Sequence, residues 1–501
     1  MSIVGILVGL GLLIWLAYRG WSILLLAPAC ALLAALLSGQ PLLANWTQTF
    51  MGSAATFVAQ FFPIFLLGAL FGKLMKSSGS VEAIADFLTR KLGTHRAILA
   101  IVLAGALVTY GGVSLFVAFF VLAPMGHALF RAANIPQRLM PAAIALGTST
   151  FTMSAMPGTP AIQNAIPMPF FGTNPFAAPV LGIIASAIML GFGMWWLLRQ
   201  ENKAHLAGEG YSPGETGSPG AAMAQDIAMV QDMAMVQDMA EDDLIRERST
   251  TANEFDPGEI RRGGRADALP PFHLAVLPLV IVVLVNLVMS FLVLPHIGGS
   301  FLTEDRWGNT SLAAVGGVWS VIVALIAAII VLLALNIGRL PQVRATMGAG
   351  ANASVLPILN VASLVGFGAV IAGLPAFEAV KDWMLGIDGG PLVSLALATN
   401  VLAALTGSAS GGLTIALDAL GPTYMQIATT QGIDPGLMHR VAVIGAGTLD
   451  SLPHNGAVVT LLAVCGCAHK DSYGDIVVAG IVGPIIALVA VILLGTLVGS
   501  F

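Results

Sequence analysis

The sequence predicts an all-α polytopic membrane protein built from two inverted repeats. Three observations carry this. The chain of 501 residues is 57% hydrophobic and only 9% charged, with a mean hydropathy of +0.89, where a soluble domain carries about 25% charged residues. Apolar runs long enough to span a bilayer follow one another with short polar connections. Two of these runs, one in each half, are interrupted at their middle by glycine, proline and polar side chains: Gly147–Pro160 (GTSTFTMSAMPGTP) and Gly445–Gly456 (GAGTLDSLPHNG). A helix broken at membrane depth frees backbone N–H and C=O groups, which is tolerated only where protein or a water-filled cavity receives them. Paired broken helices in corresponding halves point to a transporter's substrate site.

The net charge of −5 says little, because more than half of the carboxylates lie in one polar segment. Cys30, Cys465 and Cys467 are too few for a disulfide framework, and the C-x-C pair lacks zinc-site spacing. No basic patch with interleaved aromatics is present, so nucleic acid is not an expected partner. Neither H-E-x-x-H nor a nucleophile–base pair is evident, which argues against an enzyme. No cofactor or structural metal is expected.

Taken in order, Ile3–Tyr18 reads as the first span, since it lacks a basic n-region and a small-residue cleavage site. Trp21–Leu37 returns, Ser38–Ser53 carries no Lys or Arg, and Phe57–Phe71 crosses again. An amphipathic Val81–Leu92 follows. The positive-inside rule puts Arg19, Lys73, Lys76, Arg90, Lys91 and Arg96 in the cytoplasm and both chain termini outside. Ala97–Phe130 spans about 34 residues, too long for one span of about 20 and too short for two with a loop. It reads as a re-entrant hairpin with its tip at Thr109–Ser114. The broken crossing 141–171 and a last span ending at Arg199 complete the first repeat, 1–199. Residues 200–269 form a polar, disordered cytoplasmic linker containing the repeat DIAMVQ-DMAMVQ-DMA at 226–240. The second repeat, 270–501, has the same order, with a hairpin at 392–427 around Thr406–Gly412 and a broken crossing at 441–464. Matching segments such as SVEAIADFL from Ser80 and AFEAVKDWML from Ala376 support the pairing. Each repeat thus holds five spans and one hairpin.

Half-helix N-termini suit a carboxylate, and unwound carbonyls suit a cation. The candidate substrate-binding residues are Thr148, Ser149, Thr150, Gly158 and Thr159 at the first break, Ser451, His454 and Asn455 at the second, and Ser114, Ser408 and Ser410 at the hairpin tips. Asp450, a carboxylate at mid-span, is the sharpest candidate for ion or proton coupling, followed by His454 and Asp418. The reading places no Lys or Arg at mid-membrane, so dipoles, hydroxyls and amides meet the substrate charge.

These motifs resemble the ion-transporter superfamily. Within it the chain is similar to the gluconate permease (GntP) family over essentially its full length outside the linker. The stretches GKLMKSSG at Gly72, ANIPQRLMPAAIALG at Ala133, MPGTPAIQNAIP at Met156 and DSLPHNGAVVTLL at Asp450 carry the resemblance. It implies an elevator-type homodimer, with a scaffold and a mobile transport domain, in a bacterial inner membrane. It implies proton-coupled uptake of a small organic hydroxycarboxylate such as gluconate. Gluconate members have a His-containing break where this chain has SAMPGTPAIQ, which moves the expectation toward the hydroxybutyrate-permease-like branch. Sodium coupling, as in citrate-type symporters, is the alternative, and a channel is a remote one.

Overall fold

The computed structural model describes residues 2–19, 21–211, 266, 268–340, 342–453 and 455–499. His454 and the repeat at 226–240 therefore lie outside the described residues. Every regular element among the described residues is helical. Seven helices are long and apolar enough to cross a membrane, or eight if the pair Ser80–Leu92 and Thr94–Tyr110, bent by 106°, counts as one.

The first half begins with α1 (Ser2–Tyr18), α2 (Ile23–Leu37) and α3 (Leu42–Ser77). Helix α3 starts well before the expected Phe57. The uncharged segment Leu42–Ser53 continues the helix through a wide turn at Asn45–Phe50, since no proline stops it and Gly52 is accommodated within the helix. The amphipathic α4 (Ser80–Leu92) leads into α5 (Ala97–Tyr110) and α6 (Leu115–Ala132), which are joined by a tight turn. Next come α7 (Met140–Thr148), α8 (Phe151–Ser154), α9 (Ile162–Ala165) and α10 (Pro167–Phe171), the pieces of one interrupted crossing, and then α11 (Pro179–Leu206).

Helix α11 corrects the expected linker boundary. Residues 200–206 continue the helix. Beyond them Glu209 takes two hydrogen bonds from Arg138 at 2.8 and 3.0 Å, and the backbone N–H of Tyr211 donates to Asn134. The charges of this segment suggest a linker, yet Gln, Glu, Lys, Ala and Leu are good helix formers, and α11 continues through them with Ala204 buried.

The second half repeats the order: α12 (Phe272–His296), α13 (Leu312–Asn336), α14 (Val343–Ala353), α15 (Val355–Ala372), the amphipathic α16 (Phe377–Leu385), α17 (Pro391–Thr406) and α18 (Ala409–Gln431). It closes with α19 (Pro435–Thr448), α20 (Gly456–Val464) and α21 (His469–Val498). The halves interlock: α3 packs on α13, α14 and α15, and α11 packs on α21.

Small residues allow backbones to approach where interrupted crossings meet hairpin arms. A Cβ on Gly147 of α7 would stand 2.4 Å from the Val102 carbonyl oxygen of α5, and one on Gly445 of α19 would stand 2.4 Å from Thr399 Oγ1 of α17. Gly147→Ala is expected to destabilise the protein by roughly 1–3 kcal/mol through overpacking. The measurement is the melting temperature of the detergent-solubilised protein. An unchanged value would contradict the close seating of α7 on α5.

Candidate functional site

The first interruption begins where α7 ends at Thr148. Thr150 takes a non-helical backbone (φ −113°, ψ −108°), and Gly158 has φ +81°, which glycine adopts without a steric penalty. The freed backbone groups find partners. Gly158 N–H donates to Pro175 O at 2.9 Å, and Gly158 O accepts from Asn286 Nδ2 of α12 at 3.1 Å. Asn164 Nδ2 donates to Thr159 O and Pro175 O, both at 3.0 Å. The hydroxyls of Thr148 and Thr150 each donate to a carbonyl one turn back, at 2.7 Å. Ser149 Oγ lies 3.1 Å from Thr148 Oγ1, and Thr159 Oγ1 accepts from Ala161 N–H.

The second interruption ends α19 at Thr448. A 3-10 turn, Leu449–Ser451, comes next, and helix resumes at Gly456. Asn455 caps α20, its Oδ1 accepting from Ala457 N–H at 2.7 Å. Its Nδ2 donates both to Gly407 O at the α17–α18 turn and to Asp450 Oδ1, each at 2.8 Å. Asp450 Oδ1 also accepts from Ala409 N–H, the first residue of α18, at 2.8 Å. A carboxylate at a helix N-terminus is favoured by the partial positive charge there. Asp450 therefore ties the break to the tip of its own hairpin. Ser408 caps α18, accepting from Gly411 N–H at 3.1 Å, and its Oγ lies 3.2 Å from Ser410 Oγ. Ser451 is buried, and its carbonyl accepts from Tyr473.

The two interruptions meet. A Cβ on Gly447 would stand 2.9 Å from Ser154 Cβ. The contact is organised by Arg440 in the second turn of α19, which is 0% exposed. This corrects the reading that no base is buried at the site. Arg440 Nη2 and Nε donate to Ala177 O at 2.7 and 3.2 Å. Its Nη1 reaches Ser154 O and Asn164 Oδ1 at 3.4 Å. Among the described residues it has no carboxylate partner. Its neighbour His439 pairs with Thr173 Oγ1 at 2.6 Å and Asn164 Oδ1 at 3.2 Å. A signal was available: Asp434–Pro435 is a cap followed by a first-turn proline, which starts the helix early enough to carry Arg440 inward.

A cavity of about 190 Å³ lies where both hairpin tips face the first interruption. Thr109 and Ser114 from the α5–α6 tip, Ser410 from α18, and Pro160 and Gln163 line it together with Phe65 of α3 and Pro357 of α15. Ser114 and Ser410 are the expected site residues that it brings together; Gln163 and the walls from α3 and α15 escape sequence reasoning. A second cavity of about 280 Å³, with a polar lining, holds Asp418 with Gln48, Gln60, Thr56 and Thr414. Both cavities run along α3. Phe57, Phe61 and Phe65 form a row at helical spacing, tilted for Phe57–Phe61 with ring centroids 4.8 Å apart and edge-on for Phe57–Phe65 at 6.4 Å. Phe61 lines the second cavity and Phe65 the first. Among the described residues no group of three His, Cys, Asp or Glu is placed to hold a metal.

Apolar spans around two interrupted crossings, with a cavity between the first of them and the hairpin tips, define a multi-pass membrane transport protein. The pattern of the GntP family permease matches residues 1–194. An uncharacterized transporter of Bacillus subtilis (strain 168), YxjC, is 39% identical over 95% of each chain. The chain belongs to the GntP family of permeases. Among solved structures, Neisseria gonorrhoeae MtrF, described as illuminating a class of antimetabolite efflux pumps, is similar in fold. Its TM-score is 0.53 at 12% identity, over 91% of this chain and 85% of that one.

Arg440→Met is expected to cost roughly 2–4 kcal/mol, since it strands buried carbonyl acceptors. Thermal unfolding in detergent would show it. A variant as stable as the parent would mean that the guanidinium does not hold the two interruptions together.

Proposed function

We propose that this permease is a secondary active transporter that carries a small organic carboxylate, such as hydroxybutyrate or gluconate, together with a proton by alternating access. The observation that carries this reading is the cavity between the hairpin tips and the first interruption. Among the described residues it is lined by hydroxyls, an amide and apolar side chains, and by no charged side chain. The N-termini of α6 and α18 both begin at its edge, and helix N-termini favour an anion. The matched order of elements supports two inverted repeats, 1–199 and 270–501, in an elevator-type arrangement working as a homodimer in a bacterial inner membrane. In this reading the linker is cytoplasmic and both termini are periplasmic.

Asp450 is the proposed coupling group. It is held by Asn455 Nδ2 and Ala409 N–H, directly beside Ser410, which lines the cavity. Protonation of this carboxylate would loosen the contact between break and hairpin, so proton binding and the hairpin's position are linked. Sodium is the second reading, favoured by the Gly407 carbonyl sharing Asn455 with Asp450.

The test is uptake of labelled 3-hydroxybutyrate into proteoliposomes under an imposed pH gradient, with and without sodium. Saturable, gradient-driven accumulation is expected from the parent. Asp450→Asn is expected to lose accumulation while retaining exchange. Accumulation by Asp450→Asn at the parent's level would remove Asp450 from coupling. Uptake that tracks sodium and ignores the pH gradient would replace the proton.

A further inference from the structure

We infer that Gln163 selects the substrate: its side-chain amide binds the anionic end of a short-chain monocarboxylate whose apolar body fills the rest of the cavity. This rests on the transport reading of that cavity and goes on to say how its contents are chosen.

Gln163 is 8% exposed and lines the cavity. No hydrogen bond to its amide is formed by any described residue. The amide is open to the cavity it lines, so it is left for water or a ligand to satisfy, where most buried polar groups are satisfied by the fold. The adjacent residue sharpens the contrast. Asn164 donates to two carbonyls and accepts from His439 and Arg440. One amide is committed entirely to the fold, and the one beside it not at all.

Ser114 is the second group. It precedes α6, a helix of 18 residues, makes no capping hydrogen bond with its side chain, and lines the same cavity. Gly112 and Pro160 hold the two segments together: a Cβ on Gly112 would stand 2.7 Å from Pro160 Cγ. The sign of the ligand's charge is set by the surroundings. Among the described residues no acidic side chain lines the cavity, while an amide N–H, a hydroxyl and the N-terminus of α6 all favour negative charge.

The remaining polar side chains have partners. Thr109 donates to Gly105 O at 2.8 Å, Ser354 to Ala351 O at 2.7 Å, and Ser410 Oγ lies 3.2 Å from Ser408 Oγ. The rest of the wall is apolar, including Ile64, Phe65, Phe116, Met153 and Val361. A polyhydroxylated chain placed there would leave hydroxyls without partners, and such mismatches are strongly rejected. A body of a few methylene or methyl groups fits, with one further hydroxyl at most.

The experiment measures binding to the purified full-length protein by ligand-induced thermal shift, using butyrate, 3-hydroxybutyrate, succinate and gluconate. The parent is expected to bind the two monocarboxylates and to bind succinate and gluconate at least about 10-fold more weakly. Gln163→Leu is expected to raise the Kd for 3-hydroxybutyrate roughly 10- to 100-fold, the loss of a charge-assisted hydrogen bond, with its ligand-free melting temperature near the parent's. Ser114→Ala is expected to weaken binding in the same direction and serves where Gln163→Leu does not fold. Monocarboxylate binding left intact in Gln163→Leu, or in Ser114→Ala where that variant alone is obtained, overturns the inference, and so does a preference for gluconate. A parent that responds to none of the four acids overturns the transport reading itself, and this inference with it.

Discussion

Interrupting a helix inside an apolar body releases N–H and C=O groups that no solvent can take up, and the centre of this protein is arranged around supplying them with partners. The supply is mostly amide and guanidinium. Asn164, Asn286, Asn455 and Arg440 between them serve the carbonyls of residues 154, 158, 159, 175, 177 and 407. Asparagine suits this role because one short side chain both donates and accepts. Arginine suits it because several donors lie in one rigid plane and its charge is more weakly hydrated than an ammonium. Arg440 without a counter-ion carries a desolvation penalty, offset in part by four hydrogen bonds to oxygen acceptors.

The bracing is reciprocal. His439 and Arg440, at the start of the second interrupted crossing, hold Thr173 and Ala177, just past the end of the first. Gln137 and Arg138, at the start of the first crossing, do the same for the second. Gln137 Nε2 donates to Cys465 O at 2.7 Å, and Arg138 Nη1 pairs with Asp475 at 2.9 Å. Trp196 of α11 donates to the other oxygen of Asp475. Each crossing is thus anchored at its far end by the start of the other. The pair forms a single mechanical unit, and the hairpin tips fasten to it through Thr109 and Asp450.

Much of this is legible in the residues. Glycine and proline within an apolar run mark an interruption directly, and the length of Ala97–Phe130 requires a turn near its middle. Other features depend on which way a side chain points. Thr148 and Thr150 look like ligands in the sequence, yet a threonine at or just past the end of a helix still has its own i−4 carbonyl within reach, and both use it. Gln163 follows the break, and the Thr159 carbonyl one turn back is taken by its neighbour Asn164. The walls from α3 and α15 are not foreseeable, because apolar residues such as Phe65 and Val361 carry no local sign of the surface they will face. Arg440 is easily misjudged because its charge lies at the edge of an apolar run, where a surface position is the usual outcome.

The aromatic row on α3 has an electrical consequence. Phe61 and its neighbours stand between two chambers that lie along one helix. Under the proposed transport reading, with the two chambers open to water on opposite faces, most of the membrane voltage falls across that thin layer of rings rather than across the full thickness of the bilayer. An elementary charge passing the rings then does work close to the whole potential, about 2.3 kcal/mol for each 100 mV. In that reading the side chains on either side of Phe61 are where the voltage has its greatest leverage on the protein.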